Sequence, residues 1–386
     1  MLQTQLESMQ ADFSVAPPAR SRIHLGYVDG LRALAALYVV LGHAWLQSFP
    51  GRGSDDVATG MLLSLTGWLN HGIFAVAFFI AISGFCLMLP VLGNEGSLGF
   101  GGARRFYLRR ARRILPPYYV ALLISIALVA TCLGRPTQSL FDVSIPMTKE
   151  GIISHLLLVH NLYDRTSSNI SLPLWSIAVE CQIYLVFPLL IAMRRRFGMP
   201  IVLAATYLVS VSLQTIVEKT PYWGLKPLYL LIFALGMYAA EVARGPQKRR
   251  FIWIGCIAAA LVVWLVRSGL ATSGLTELAV GVLAMSVLIV CSHWPASLIA
   301  RISSIKLFAA IGIFSYSLYL IHFPLLQLVW LYLVLPLKLS RLATFLIMST
   351  AGTVLIVILA YGFYYFFERP FCRAPGGRSR APATPA

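Results

Sequence analysis

The sequence predicts an all-α, polytopic membrane helix bundle of about ten transmembrane helices, with both termini cytoplasmic. Three observations predict it. Of the 386 residues, 58% are hydrophobic and only 12% charged, whereas a soluble domain is about a quarter charged. The apolar residues fall in long blocks, most of them reaching the ~20 residues that a helical span requires. The loops between the blocks are alternately rich and poor in Lys and Arg, the pattern left by a membrane that retains positive charge on one side.

In chain order, residues 1–26 form a short N-terminal segment with no apolar stretch after a basic start. No cleaved leader is expected, and the first span serves as the insertion signal. Spans follow near 33–49, 71–91, 114–134, 173–193, 199–217, 227–243, 251–267, 273–291, 307–331 and 342–367, the first and seventh being short. Of the 31 Lys and Arg, 22 lie on one face and 9 on the other. The richer face is therefore cytoplasmic. The formal net charge of +17 is then a topology signal, the lipid bilayer is the partner it serves, and nucleic acid is not expected as one. Residues 135–172 form the longest outer loop, in which Gly151–Tyr163 (GIISHLLLVHNLY) is apolar but too short to span. It reads as an interfacial or re-entrant helix over the bundle mouth. Residues 27–371 make one membrane domain, and the Pro-, Gly-, Ala- and Arg-rich tail 372–386 is expected to be disordered. Six scattered cysteines (Cys86, Cys132, Cys181, Cys256, Cys291, Cys372) contain no C-x-x-C pair, so neither a metal site nor a disulfide framework is expected.

Ionisable groups inside spans are costly in hydrocarbon and mark substrate sites or proton paths. Arg32 and His43 lie eleven residues apart in the first span. Eleven residues at about 100° each nearly complete three turns, so both face one way, about 16 Å apart. Asp29 is placed to cap this helix. The same pair also fits a bland reading, an arginine snorkelling to the cytoplasm and a satisfied interior histidine. Glu180, seven residues after Pro173, sits about 10 Å into its span at a depth similar to that of His43. It is either a catalytic or substrate-binding carboxylate or a buried partner for an arginine or tyrosine. Ser315, Tyr319 and His322 share one face at i, i+4 and i+7, which suits helix packing as well as chemistry. His71, His155 and His160 are placed to line an acceptor entrance, while His24 and His293 are loop residues without context. The stretch ARRFYLRRARR reads as a cytoplasmic loop with six arginines in ten positions. Beyond anchoring the loop, R-x-x-R pairs such as Arg110 and Arg113 suit phosphate clamping by planar guanidinium forks.

Six motifs occur in order: Arg32-x10-His43, FFIAISGF (Phe78–Phe85), RRARRILPPY (Arg109–Tyr118), LWSIAVECQIYLVFP (Leu174–Pro188), FSYSLYLIHFP (Phe314–Pro324) and FERP (Phe367–Pro370). Through them the chain resembles the acyltransferase-3 family of integral-membrane acyltransferases over about residues 27–371. The resemblance implies a ten-span bundle of the bacterial plasma (inner) membrane. It moves an acyl group, usually acetyl, from cytosolic acetyl-CoA or another acyl-CoA to a hydroxyl of a surface polysaccharide or lipid-linked glycan, without a metal. Some members carry an extracytoplasmic hydrolase-like domain, which is not expected here.

On this reading Arg32, Arg109, Arg110 and Arg113 hold the phosphates of CoA, and His43 takes the proton of the acceptor hydroxyl. Glu180 orients the imidazole, stabilises its protonated form or binds acceptor hydroxyls, and an acyl-histidine intermediate is a variant that the same residues allow. Trp175, Ser176, Tyr316, His322 and His71 are expected to contact the acceptor. The competing class is a proton-coupled transporter of a small polar or acyl-bearing substrate, since buried Arg, His and Glu also build proton relays.

Overall fold

Each apolar block becomes a helix, because a helix satisfies its backbone polar groups within itself where no water can. The computed structural model describes residues 26–49, 57–217 and 223–372. The expectations for the N-terminal segment up to residue 25, with Arg20, Arg22 and His24, and for the tail beyond Cys372 lie outside the described residues. No strand occurs among those described. The apolar blocks form helices α1 (Gly26–Ser48), α2 (Ile73–Gly93), α3 (Gly102–Leu133), α4 (Trp175–Phe197) and α5 (Met199–Val217). They continue with α6 (Leu228–Ala243), α7 (Arg250–Arg267), α8 (Gly274–His293), α9 (Ser315–Leu337) and α10 (Arg341–Cys372).

Eight helical stretches among the described residues are long and apolar enough to cross a membrane, and α1 and α6 are the two that are not. Their position explains why they need not be. Helix α6, with 16 residues, is about 24 Å long, but it packs between α2, α5 and α8 with most of its side chains buried. Helix α1 carries Asp29 and Arg32 and is likewise enclosed, against α2, α9 and the short helix Lys306–Ile313. The lipid-facing work falls to helices such as α5 and α7, which expose Tyr207, Leu208 and Ile216, and Trp253, Ile257 and Trp264.

Glycines set the close contact between α2 and α6. A Cβ on Gly84 of α2 would stand 2.1 Å from the Phe233 carbonyl oxygen of α6, and one on Gly236 would stand 2.0 Å from that of Ala81. The two backbones touch through reciprocal glycines, the close approach that membrane helices use where no hydrophobic effect drives them together.

Three stretches differ from the sequence expectation. The arginine-rich stretch is not a loop but the first turns of α3. Between Ala103 and Leu115 it holds no Gly or Pro and is rich in Arg, Ala and Leu, all good helix formers; charge stops a span, not a helix. The ninth span divides at Phe314, so Lys306–Ile313 is a separate short helix. There Gly312 is drawn onto α1, where a Cβ would meet the Asp29 carbonyl oxygen at 2.0 Å, and Ser315 Oγ donates to the Gly312 carbonyl at 2.9 Å. Segment 151–163 is two pieces: helix Lys149–Leu156 and a single turn at His160–Leu162, parted by Leu158 at φ 57°. It enters the bundle, because Tyr118 and Tyr119 of α3 donate to the His155 and Leu156 carbonyls, and Gln182 of α4 donates to that of Leu158.

Candidate active site

Arg32 and His43 lie on the same helix, as their spacing requires, but they serve two different environments. His43 Nδ1 is 2.9 Å from His322 Nε2. The Phe323 ring meets the His43 ring edge-on at 5.0 Å, which holds the imidazole in place. His322 is fully buried, and its Nδ1 donates to the Tyr319 carbonyl at 2.7 Å. A neighbouring polar ladder closes the end of the bundle beyond them. Gln47, one turn past His43, donates to Gln327 at 2.6 Å, and Gln327 donates to Thr137 of the loop at 3.2 Å.

Arg32 instead lines a cavity of about 240 Å³ together with Arg110 and Arg113 of α3, Glu180 and Tyr184 of α4, and Glu368 of α10. Helical spacing explains the choice among the arginines. Positions 106, 110, 113 and 114 share one face, with Phe106 and Ile114 buried, so Arg110 and Arg113 turn inward while Arg104, Arg105, Arg109 and Arg112 are exposed. None of the three cavity guanidiniums is ion-paired with a described carboxylate. Arg110 Nε is buried without a partner. The two cavity carboxylates are spent on neutral donors. Glu180 accepts from Ser83 Oγ at 2.9 Å and from the Tyr184 hydroxyl, and Glu368 accepts from Ser317 N at 3.2 Å and Ser317 Oγ at 2.5 Å. A π-helical turn at Tyr364–Glu368 delivers Glu368 to this point, the kind of local irregularity common at functional sites. The cavity is thus a pocket of net positive charge, fit for an anion, with an apolar wall from Val76, Phe79, Ile80 and Ile177.

Of the remaining expected residues, Ser176 and Tyr316 line this cavity, while Trp175, His71, His322 and the exposed Arg109 do not. Trp175 leans on Tyr229, and His71 stacks on Phe74. Glu180 is not at His43. Counting depth from Pro173 assumed that α4 starts at the membrane surface, but Ser171, Pro173 and Leu174 at its start are all buried. Tyr319 of α9 donates to the Pro173 carbonyl at 3.1 Å, so α4 begins beside the histidines and runs away from them. Glu180, four residues past Ser176, lies about 6 Å farther along α4, among the arginines. His155 and His160 stack on each other at 3.7 Å and are fully buried, away from the cavity lining. Ser83, Tyr184 and Glu368 were not singled out from the sequence. The signals were present: Ser83 inside FFIAISGF, Tyr184 one turn after Glu180, and a carboxylate within the closing FERP.

A family model described as an acyltransferase domain matches residues 25–365. A putative O-acetyltransferase of Staphylococcus aureus strain COL is 25% identical over 376 residues, covering 89% of this chain and 56% of the relative. The putative peptidoglycan O-acetyltransferase YrhL of Bacillus subtilis strain 168 is 25% identical over 396 residues, covering 91% and 55%. The peptidoglycan O-acetyltransferase OatA of Listeria monocytogenes is 24% identical over 354 residues, covering 80% and 50%. The chain spans about half the length of the curated relatives it matches. No solved structure matches it. The matched region runs from α1 into α10, taking in Arg32, His43, the arginine helix and Glu180, and on that extent the chain, an integral membrane protein, belongs to the acyltransferase-3 family.

Proposed function

We propose that this chain is a membrane-embedded O-acyltransferase that takes an acyl group, most simply acetyl, from acyl-CoA and passes it to a carbohydrate hydroxyl. The arginine-bearing face is cytoplasmic, in the bacterial inner membrane, and the acceptor is a glycan at or beyond the opposite face. The observation that carries this reading is the cavity in which three guanidiniums outnumber two carboxylates, none of the three being ion-paired among the described residues. Arg32, Arg110 and Arg113 suit the phosphates of the donor. A volume of about 240 Å³ is less than the several hundred Å³ of a whole-ligand site, so it takes the phosphates that lead into the narrow pantetheine arm, and the arm itself, and leaves the adenosine at the mouth beside the exposed arginines. The relatives support acetyl as the acyl group and a cell-wall glycan as the class of acceptor, by their names as O-acetyltransferases and, in two cases, peptidoglycan O-acetyltransferases.

In the reaction the acceptor oxygen attacks the thioester carbonyl, its proton passes to His43, the carbon–sulfur bond breaks and CoA leaves as the thiolate. Phe79 and Tyr319 line the cavity and touch edge to face at 5.8 Å, and the Tyr319 ring is 5.6 Å from that of His322. They form the wall between donor cavity and histidine pair. The acyl end passes that wall when Tyr319 leaves its bonds to Ser176 Oγ and the Pro173 carbonyl.

The test uses purified protein in liposomes with labelled acetyl-CoA and a glycan acceptor, following release of CoA thiol and label on the glycan. Exchanging Arg110 and Arg113 together for lysine keeps the charge that sets topology but removes the bidentate forks. Apparent affinity for acetyl-CoA is expected to fall about tenfold to a hundredfold, the loss of charge-assisted contacts of roughly 1.5–3 kcal/mol. Unaltered donor affinity at normal protein level would leave the pair as a topology signal alone.

A further inference from the structure

The geometry of the two imidazoles points to His322 as the residue that positions His43, by dictating which of its nitrogens carries hydrogen. The Tyr319 carbonyl can only accept, so His322 Nδ1, 2.7 Å away, carries a hydrogen. A neutral imidazole has one N–H, which leaves His322 Nε2 as a bare acceptor. That acceptor is 2.9 Å from His43 Nδ1, so the hydrogen of His43 sits on Nδ1. The lone pair of His43 is therefore on Nε2, the nitrogen turned away from His322 and the one left to take a proton.

Ring geometry agrees with this hydrogen bond. The ring centres are 5.1 Å apart with 18° between their planes, close to the nitrogen–nitrogen distance plus a ring radius at each side. The rings therefore meet edge to edge and nearly coplanar, and the N–H points along the lone pair of its acceptor as a strong bond requires. Phe323 packs on the His43 ring from one side, and Phe141 stacks on Phe323 at 5.3 Å, so the ring has little freedom to turn away.

The arrangement does for His43 what a carboxylate does for the histidine of a hydrolase triad, where the partner sets tautomer and orientation. Here no described carboxylate fills that place, because Glu180 and Glu368 are held by Ser83 and Tyr184 and by Ser317. When His43 Nε2 gains a proton, the imidazolium keeps its Nδ1–H on His322, and its charge is shared along the chain of bonds to the Tyr319 carbonyl. His322 is thus a positioning residue, although the sequence placed it among acceptor contacts.

This inference rests on the reading of His43 as base, and its test separates the two. In liposomes, His322→Leu is expected to lower kcat about a hundredfold, the scale of general-base assistance, with the KM for acetyl-CoA unchanged. His322→Gln places an amide oxygen where Nε2 stood and is expected to recover about tenfold of that loss. Selective 15N-histidine NMR, with the His43 signal assigned by its loss in His43→Ala, is expected to show a protonated Nδ1 and a bare Nε2 in the native protein. It should show mixed tautomers in His322→Leu. Full activity in His322→Leu beside an inactive His43→Ala overturns the positioning role and leaves the base standing. A native His43 protonated on Nε2 overturns it whatever the activities. An active His43→Ala with the native tautomer as expected strikes the base reading alone.

Discussion

Replacing His43 with alanine is expected to lower acyl transfer by about a hundredfold to ten-thousandfold while the protein accumulates normally in the membrane. The range is that of general acid–base assistance by a positioned side chain, worth roughly 3–5 kcal/mol in the barrier at 1.36 kcal/mol per decade. Two features set His43 apart from an interior histidine that merely packs. It keeps some accessible surface, whereas His322, its partner, has none. And its Nδ1 is engaged, leaving one nitrogen for a reacting group. Turnover with purified protein, labelled acetyl-CoA and a glycan acceptor measures the effect, and binding of acetyl-CoA to the same variant should be unaffected, because His43 does not line the donor cavity. Near-native turnover would remove His43 from the chemistry and return attention to Ser83, Tyr184 and Glu180.

The second large effect is expected from a single methyl group placed between two helix backbones. Gly84→Ala puts a carbon 2.1 Å from the Phe233 carbonyl oxygen and 3.0 Å from its carbon. These are backbone atoms of α6, so no rotamer change relieves the clash and the helices must part. Overpacking of this kind costs about 1–3 kcal/mol and occasionally more, and a rigid backbone-to-backbone contact belongs at the upper end. Gly236→Ala meets the Ala81 carbonyl at 2.0 Å and should behave alike. Gly362→Ala, in α10 with nothing within 4 Å, is the control and should be neutral or slightly stabilising. Thermal unfolding of detergent-solubilised protein, followed by loss of the monodisperse fraction, compares the three. Because Ser83 adjoins Gly84 and hydrogen-bonds to Glu180, the tight variants should also lose donor binding. Equal stability of Gly84→Ala and Gly362→Ala would show that α2 and α6 can separate at no cost.

The family motifs gain physical content from these contacts. FFIAISGF combines a serine turned into the cavity with a glycine on the surface that meets α6. In the closing FERP the carboxylate of Glu368 fastens α10 to α9 at Ser317. In FSYSLYLIHFP, Tyr316 and Tyr319 line the cavity and His322 stands just beyond it. Each of these three motifs is a helix segment whose residues serve both the cavity and the packing of one helix on another.

The sequence by itself determined the all-α membrane class, the order of the apolar blocks, the face that collects arginine and the inward turn of Arg32 and His43 on one helix. These follow from hydrophobic block length and helical period, properties of one segment and its solvent. It did not show that the arginine stretch is helical, because the end of an apolar block marks where lipid ends and says nothing of where hydrogen bonding ends. The tertiary structure alone decided that Arg110 and Arg113 share a cavity with Glu180, and that His43 is bonded to His322, 279 positions away. Depth counted along one helix holds only if helix ends are level, and α4 begins beneath a loop that dives into the bundle. Which side chains meet is set by helix offsets, by glycine-to-backbone contacts and by that buried loop, and these arise between segments, where the periodicity of any one of them carries no information.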